Sequence, residues 1–128
     1  FFATKELASS RRRGFPKSLD GAPFLLPLMH LTLRRSLNTW FERQDISPHI
    51  VGEFEDSALL KAFGADGVGI FAAPSVVERE VMSQYDVQVV GRTEEVKERF
   101  YAISAERRLK HPAVLAVSDA AKHRLFAR

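Results

Sequence analysis

Residues 49–74 read HIVGEFEDSALLKAFGADGVGIFAAP, and their pattern predicts the central part of the fold. Two parts of it, residues 50–54 and 68–71, are short runs rich in β-branched and aromatic residues, which are typical of strands buried in a sheet. The residues between these two runs have the composition and spacing of a helix. The stretch therefore predicts a strand, a helix and a second strand, which together form a βαβ unit.

The central helix of this unit has signals at both ends and an apolar face. Asp56 or Ser57 can cap its start by accepting hydrogen bonds from free backbone N–H groups, and Gly64 is placed to close its last turn. The apolar residues that fall together on one face of this helix are Leu59, Ala62 and Phe63.

A βαβ unit also predicts where a ligand would bind. The crossover implies two parallel strands joined by a right-handed connection. In an open parallel sheet the ligand crevice lies beyond the carboxyl ends of the strands. Those ends are residues 54–56 and 72–75 in this chain, so a binding site is expected there.

The chain before this unit adds further elements. Residues 1–3 resemble the end of a buried strand, an unusual start that suggests the chain begins inside a larger protein. Residues 4–17 are predicted to be a linker or a short helix, and residues 24–26 a short strand stopped by Pro27. Thr32 can cap a following helix with an apolar stripe formed by Leu33, Leu37, Trp40 and Phe41. The residues expected on the opposite, polar face of that helix are Arg34, Arg35, Asn38, Glu42 and Arg43.

The chain after the βαβ unit continues the alternation of helix and strand. Ser75 and Glu78 have the spacing of a capping box, which predicts a helix start. The residues expected to be buried on this helix are Val77, Val81 and Tyr85. Strands are predicted over residues 87–90 and 100–104, and a last helix is predicted from Pro112 onward. The whole pattern is that of a small doubly wound α/β fold.

Composition limits the classes of protein to consider. The chain has 128 residues, of which 45% are hydrophobic and 27% charged, and these values are typical of a folded soluble domain. It has no cysteine, so disulfides, thiolate metal sites and a cysteine nucleophile are excluded. No apolar run is long enough to cross a membrane. The net charge of +3 includes one tight basic cluster, Arg11, Arg12 and Arg13, and is better explained by a solvated surface than by a nucleic-acid track.

No recognised catalytic or metal-binding motif is present in the sequence. The four histidines are scattered without metal-ligand spacing, and Gly64, Gly67 and Gly69 precede a strand, whereas phosphate-binding glycines follow one. There is no G-x-S-x-G nucleophile elbow. We therefore predict no catalytic residue, no metal and no cofactor, and we expect that the chain is not an enzyme.

Four longer stretches carry a resemblance to a known family: FPKSLDGAPFLLP (15–27), LRRSLNTWFERQDI (33–46), GEFEDSALLKAFGADGVGIFAAPSVVEREV (52–81) and VVGRTEEVKERFYAISAERRLKHPAVLAVSDAAK (89–122). Together they resemble the effector-binding domain of LysR-type transcriptional regulators, and in particular a branch of activators of sodium/proton antiporter genes.

The resemblance implies a division of the chain. It implies an α/β, periplasmic-binding-protein-like domain, of which this chain holds one complete Rossmann-like subdomain and part of another. Residues 1–13 would be the end of a first-subdomain strand and the crossover, and residues 14–91 the second subdomain. Residues 92–128 would be the returning strand and helix of the first subdomain. The winged helix-turn-helix that binds promoter DNA in this family would precede the chain.

The resemblance also implies two sites. An effector, whose identity the resemblance leaves open, would bind in the cleft between subdomains; the candidate effector-binding residues are Met29, His30, Thr32, Phe71, Ala73 and Pro74. A homo-oligomer would form through the helix around Trp40 and the strand after it; the candidate interface residues are Arg34, Asn38, Arg43 and Val51.

The resemblance implies a cytoplasmic regulator of antiporter or ionic-stress genes, without a membrane partner. Two other classes remain open at this point. A free-standing solute-binding protein of similar fold would need two complete subdomains. A small α/β enzyme would need titrating residues such as Glu53, Asp56 and His30 packed together in the crevice.

Overall fold

A computed structural model describes residues 1–97 of the chain, and the predicted strand at 100–104 and helix from Pro112 lie outside them. Strands and helices alternate in this part: β1 (Phe2–Ala3), α1 (Lys5–Arg12), β2 (Pro23–Pro27), α2 (Thr32–Arg43), β3 (His49–Phe54), α3 (Ser57–Ala65), α4 (Glu78–Tyr85) and β4 (Gln88–Val89). Two 3₁₀ turns, Lys17–Leu19 and Ser75–Val77, lie between them. None of these helices is long and apolar enough to cross a membrane. The α/β class expected from the sequence is confirmed.

The parallel half of the sheet is built on β2. Strand β3 runs parallel to it, with an irregularity in the register between Phe24 and Leu25. Ile70 forms an isolated parallel bridge on the other side of β2, where the Leu25 N–H donates to its oxygen and its own N–H donates to the Pro23 oxygen, both over 2.8 Å. The crossover from β3 to Ile70 is therefore parallel as predicted, and β2 lies between its two strands. The predicted second strand is reduced to isolated bridges, and Val68 at its start is exposed.

The antiparallel half of the sheet begins at the next residue. Phe71 and Phe2 exchange backbone hydrogen bonds of 2.8 and 3.0 Å in an antiparallel bridge. On its other side β1 pairs antiparallel with β4. Backbone hydrogen bonds thus connect β3, β2, residues 70–71, β1 and β4 in that order.

Both faces of this sheet are covered by helices. Alternate residues of a strand point to opposite faces, so Phe24 and Leu26 join one core cluster and Leu25 joins the other. The first cluster includes side chains of α1 and α2, and the second includes side chains of α3 and α4. Parallel strands are generally buried on both faces, and β2 follows this rule, since Phe24, Leu25 and Leu26 are all fully buried.

Helix α2 packs through the predicted apolar stripe. Leu37, Trp40 and Phe41 are buried, and the Trp40 ring stacks on Phe1 with 5.2 Å between ring centroids. The predicted Thr32 cap is wrong, because Leu31 occupies the N-cap position and no side chain accepts a hydrogen bond there.

Helix α3 begins where the sequence predicts but buries a different face. The Asp56 carboxylate caps it by accepting from the Ala58 N–H over 2.8 Å. Its buried residues are Leu60 and Gly64, whereas the predicted apolar face, Leu59, Ala62 and Phe63, is exposed. Gly64 lies inside the helix and does not close it, because the Phe71 ring occupies the space that a Cβ at this position would need.

Strand β3 is an edge strand, although the sequence predicts a buried one. Within residues 1–97 it pairs only with β2, and Ile50 and Val51 are each 41% exposed. Its apolar side chains therefore lie at the border of the described sheet, where β-branched residues still suit the extended backbone.

Helix α4 has the predicted buried residue Val81, with Val77 and Tyr85 partly buried beside it. The predicted capping box is wrong: Ser75 opens a 3₁₀ turn, and no side chain caps either this turn or α4. Instead, the Glu78 carboxylate pairs with Arg92, which lies beyond β4.

Candidate ligand-binding site

A pocket of about 270 Å³ lies at the edge of the sheet where the bridged residues 70–71 and strand β4 end. The segment 72–75 and the segment 92–96 form two of its sides, and Leu33 and Leu37 of α2 form another. Two aromatic residues, Phe1 and Phe2, also line it. The sequence predicts a crevice at residues 72–75, and the pocket is at this position, whereas residues 54–56 do not line it.

The pocket surface is about equally polar and apolar, and its charged side chains come from three residues. The Arg92 guanidinium donates from Nε to Glu78 Oε1 over 2.8 Å and from Nη2 to Glu78 Oε2 over 2.9 Å. This two-point hydrogen bond from Arg92 lowers the pKa of Glu78 and raises that of Arg92. Glu94 is the third charged residue, and it is exposed.

Three of the predicted effector-binding residues lie beside the pocket lining and not in it. Met29 is 61% exposed, and His30 and Thr32 are also exposed. Their loop is held by its own backbone, since the Leu31 N–H donates to the Leu28 oxygen over 3.0 Å. The loop precedes α2, whose first turn has no side-chain cap and so keeps its N–H groups open.

The other three predicted residues follow each other closely in the chain but have different environments. Ala73 and Pro74 line the pocket. Phe71 does not, because its side chain is fully buried and stacks on Phe2 with 5.6 Å between ring centroids. The expectation that the Phe71 side chain faces a ligand is therefore corrected: it is part of the core.

The candidate interface residues are likewise divided. Arg34 is only 4% exposed, and its guanidinium donates to the Pro27 oxygen over 2.8 Å, to Glu53 Oε2 over 2.6 Å and to Asn38 Oδ1 over 3.1 Å. Its placement on an exposed polar face is therefore wrong, because a buried cation needs these acceptors. Asn38 is half-buried, whereas Arg43 and Val51 are exposed.

Several pocket residues are absent from the predicted site. The sequence identifies Leu33 and Leu37 only as core positions, and Glu78 only as a capping residue. Glu78 and Arg92 are opposite charges separated by α4 and β4. No periodicity links two such positions, so only the tertiary fold brings them together.

The residues on which an enzyme would depend are engaged separately. Glu53 pairs with Arg34, Asp56 caps α3, and His30 is exposed. Within residues 1–97, no group of three or more histidine, aspartate or glutamate side chains is arranged to hold a metal ion.

Comparison with known proteins identifies the class. The model of the LysR substrate binding domain matches residues 2–125, so the chain belongs to the family of LysR substrate-binding domains. This family consists of parts of transcriptional regulators and not of enzymes, which confirms the resemblance and the prediction that the chain is not an enzyme.

Two curated relatives are similar to the chain. They are the transcriptional activator protein NhaR of Escherichia coli (strain K12) and that of Shigella flexneri. Each is 39% identical over 113 residues, which cover 88% of this chain and 38% of the relative. The chain thus spans well under half the length of these relatives. No solved structure gives a significant match.

Proposed function

We propose that the chain is the ligand-sensing and dimerisation part of a LysR-type transcriptional activator. The observation that carries this proposal is the pocket beyond the carboxyl ends of residue 71 and β4, in a chain that belongs to this family. Pockets at this position of an α/β sheet are common ligand sites.

The effector site combines the pocket with the loop beside it. Ala73 and Pro74 contact the effector from the pocket wall, and Arg92 and Glu78 supply charge. Met29, His30 and Thr32 contribute from the loop and the open first turn of α2, where backbone N–H groups favour a polar ligand.

The effector acts by changing the populations of two conformations. A ligand shifts such an equilibrium only by the difference between its affinities for the two states. The proposed domain division, with residues 14–91 as one complete Rossmann-like subdomain, provides a body that such a change can move. A change in the position of this body would reposition the DNA-binding domains of the full-length regulator.

Dimerisation uses the outer side of α2 and the edge strand β3. Asn38, Arg43 and Val51 are accessible there, and the outer edge of β3, which has no partner strand within residues 1–97, supports pairing with a second copy. Arg34 takes part indirectly, because it orients Glu53 on β3.

The regulated genes are those for a sodium/proton antiporter or for other responses to ionic stress, and the protein acts in the cytoplasm. Similarity to two activators named NhaR supports activation as the mode of action. Sodium is the proposed signal, whether it binds this domain or acts indirectly.

The experiment that tests this function is a DNA footprint of the full-length protein over its own upstream region. Sodium is added or replaced by choline at constant ionic strength, because salt alone weakens phosphate contacts. Protection whose extent changes with sodium supports the regulator and its signal. If the protected region is the same with and without sodium, sodium is excluded as the signal. If no region is protected, the proposal that the protein is a DNA-binding regulator is contradicted.

A further inference from the structure

The polar groups that line the pocket leave two kinds of hydrogen-bonding capacity unused. A guanidinium has five N–H donors, and Glu78 takes two of those of Arg92 along the edge formed by Nε and Nη2. The edge formed by Nη1 and Nη2 has no acceptor within residues 1–97. A carboxylate could bind there in two-point fashion, because this edge has the same fork geometry.

The second unused group is an acid. The carboxylates of Glu78 and Glu94 both line the pocket, but only Glu78 is paired with Arg92. Glu94 has no hydrogen-bond or ion-pair partner among the described residues. The Glu94 carboxylate is thus open to a cation within the described part of the chain, and an ammonium group is its natural complement.

The remaining surface selects the body of the ligand. Leu33, Leu37, Ala73 and Pro74 present aliphatic carbon to the cavity. The volume of about 270 Å³ is slightly below the range of drug-sized sites, so the ligand is small.

We infer that this pocket binds a small zwitterion with an aliphatic body, of the class of an apolar α-amino acid. The ligand carboxylate binds the free edge of Arg92, and its ammonium group binds Glu94. Its aliphatic side chain lies against Leu33 and Leu37. This inference rests on the proposed function, since it gives the effector site a ligand class and leaves sodium to act indirectly.

The test is calorimetric titration of the full-length regulator with L-leucine and with two analogues that each lack one charge. Isocaproate lacks the ammonium group, and isoamylamine lacks the carboxylate. We expect saturable binding of leucine and weaker binding of both analogues. Arg92→Gln should weaken leucine binding by about tenfold or more, because a charged hydrogen-bonded contact is lost. Glu94→Gln should weaken leucine binding but should not weaken isocaproate binding.

Matched controls are available on α4. Arg79 and Glu80 are exposed and do not line the pocket, so Arg79→Gln and Glu80→Gln should bind leucine like the unaltered protein. The inference is overturned if leucine shows no saturable binding, or if neither pocket substitution changes it. It is also overturned if isocaproate or isoamylamine binds as tightly as leucine. The DNA footprint with and without sodium does not depend on these results, so failure here leaves the regulator assignment to its own test.

Discussion

The buried guanidinium of Arg34 donates to Glu53 Oε2 over 2.6 Å and thereby joins the first turn of α2 to the edge strand β3. The Arg34 side chain is 5% exposed and that of Glu53 is 42% exposed. A cation in the first turn of a helix opposes the helix dipole, so Arg34 is placed there by its partners and not by helix preference. Its bond to the Pro27 oxygen also fixes the end of β2, where the loop with Met29 and His30 begins.

Loss of the Glu53 carboxylate should therefore destabilise the fold. We expect Glu53→Ala to lower the free energy of unfolding by about 2 kcal/mol, because the buried Arg34 cation loses the one anionic partner that it has within residues 1–97. Glu55 is exposed and has no ion-pair partner among the described residues, so Glu55→Ala should change the free energy of unfolding by no more than about 0.5 kcal/mol. Urea denaturation measures both values. Equal losses in the two variants would contradict the role of the pair.

Gly64 should not tolerate a side chain. Alanine favours a helix interior over glycine by about 1 kcal/mol, yet a Cβ here would overlap the Phe71 ring. We expect Gly64→Ala to destabilise the protein by about 1–3 kcal/mol. In the double variant with Phe71→Leu, the two losses should not add, because the smaller side chain relieves the overlap. Strict additivity in denaturant titrations would show that the ring does not limit this position.

The two ends of α3 should respond oppositely to removal of an aspartate. Asp56→Ala should lower the free energy of unfolding by about 1 kcal/mol, since it removes the side chain that accepts a hydrogen bond from the Ala58 N–H. Asp66 is at the C-cap, where a negative charge opposes the helix dipole, so Asp66→Ala should be neutral or slightly stabilising. Thermal unfolding of both variants gives the comparison. A loss of stability confined to Asp66→Ala would be the contrary result.

The pair of Glu78 and Arg92 should make stability depend on pH. The Arg92 hydrogen bond lowers the pKa of Glu78 in the folded state below its ordinary value of 4.5. The stabilisation is therefore complete above that ordinary value and is lost as pH falls through the lowered folded pKa. Arg92→Gln should lose less stability on acidification than the unaltered protein, and the difference should be small because the pair is exposed. Arg79→Gln is the control, and parallel curves for all three proteins would disprove the linkage.

The edge of β3 should control self-association. Val51→Lys places a charge beside the edge of β3 that is unpaired in the described part of the chain, where charged side chains oppose strand pairing, and we expect weaker dimerisation of the full-length protein. Val76 is 77% exposed on the 3₁₀ turn before α4, so Val76→Lys supplies a matched charge elsewhere. Sedimentation velocity over a concentration series measures both variants. Dimerisation that is unchanged by Val51→Lys, or reduced equally by Val76→Lys, would remove β3 from the interface.

Local sequence signals predicted the site only in part. The strand ends at residues 72–75 indicated the right edge of the sheet, because parallel strands place their carboxyl ends together. Phe71 was misplaced, since its apolar side chain fits a core and a ligand pocket equally well from sequence. Arg92 was missed, because its partner is Glu78, on the other side of α4 and β4.

Patterns along the chain were enough to predict the α/β class, the parallel crossover, the apolar stripe of α2 and membership of the LysR substrate-binding family. These features depend on hydrophobic periodicity, on capping residues and on similarity to a known family, all of which can be recognised in the order of the amino acids. Three features became visible only in the packed fold: β3 lies at an edge of the described sheet, Gly64 faces Phe71, and Arg34 is buried. Each of these depends on which distant residues become neighbours, because burial and charge pairing are properties of the packed fold and not of a local pattern.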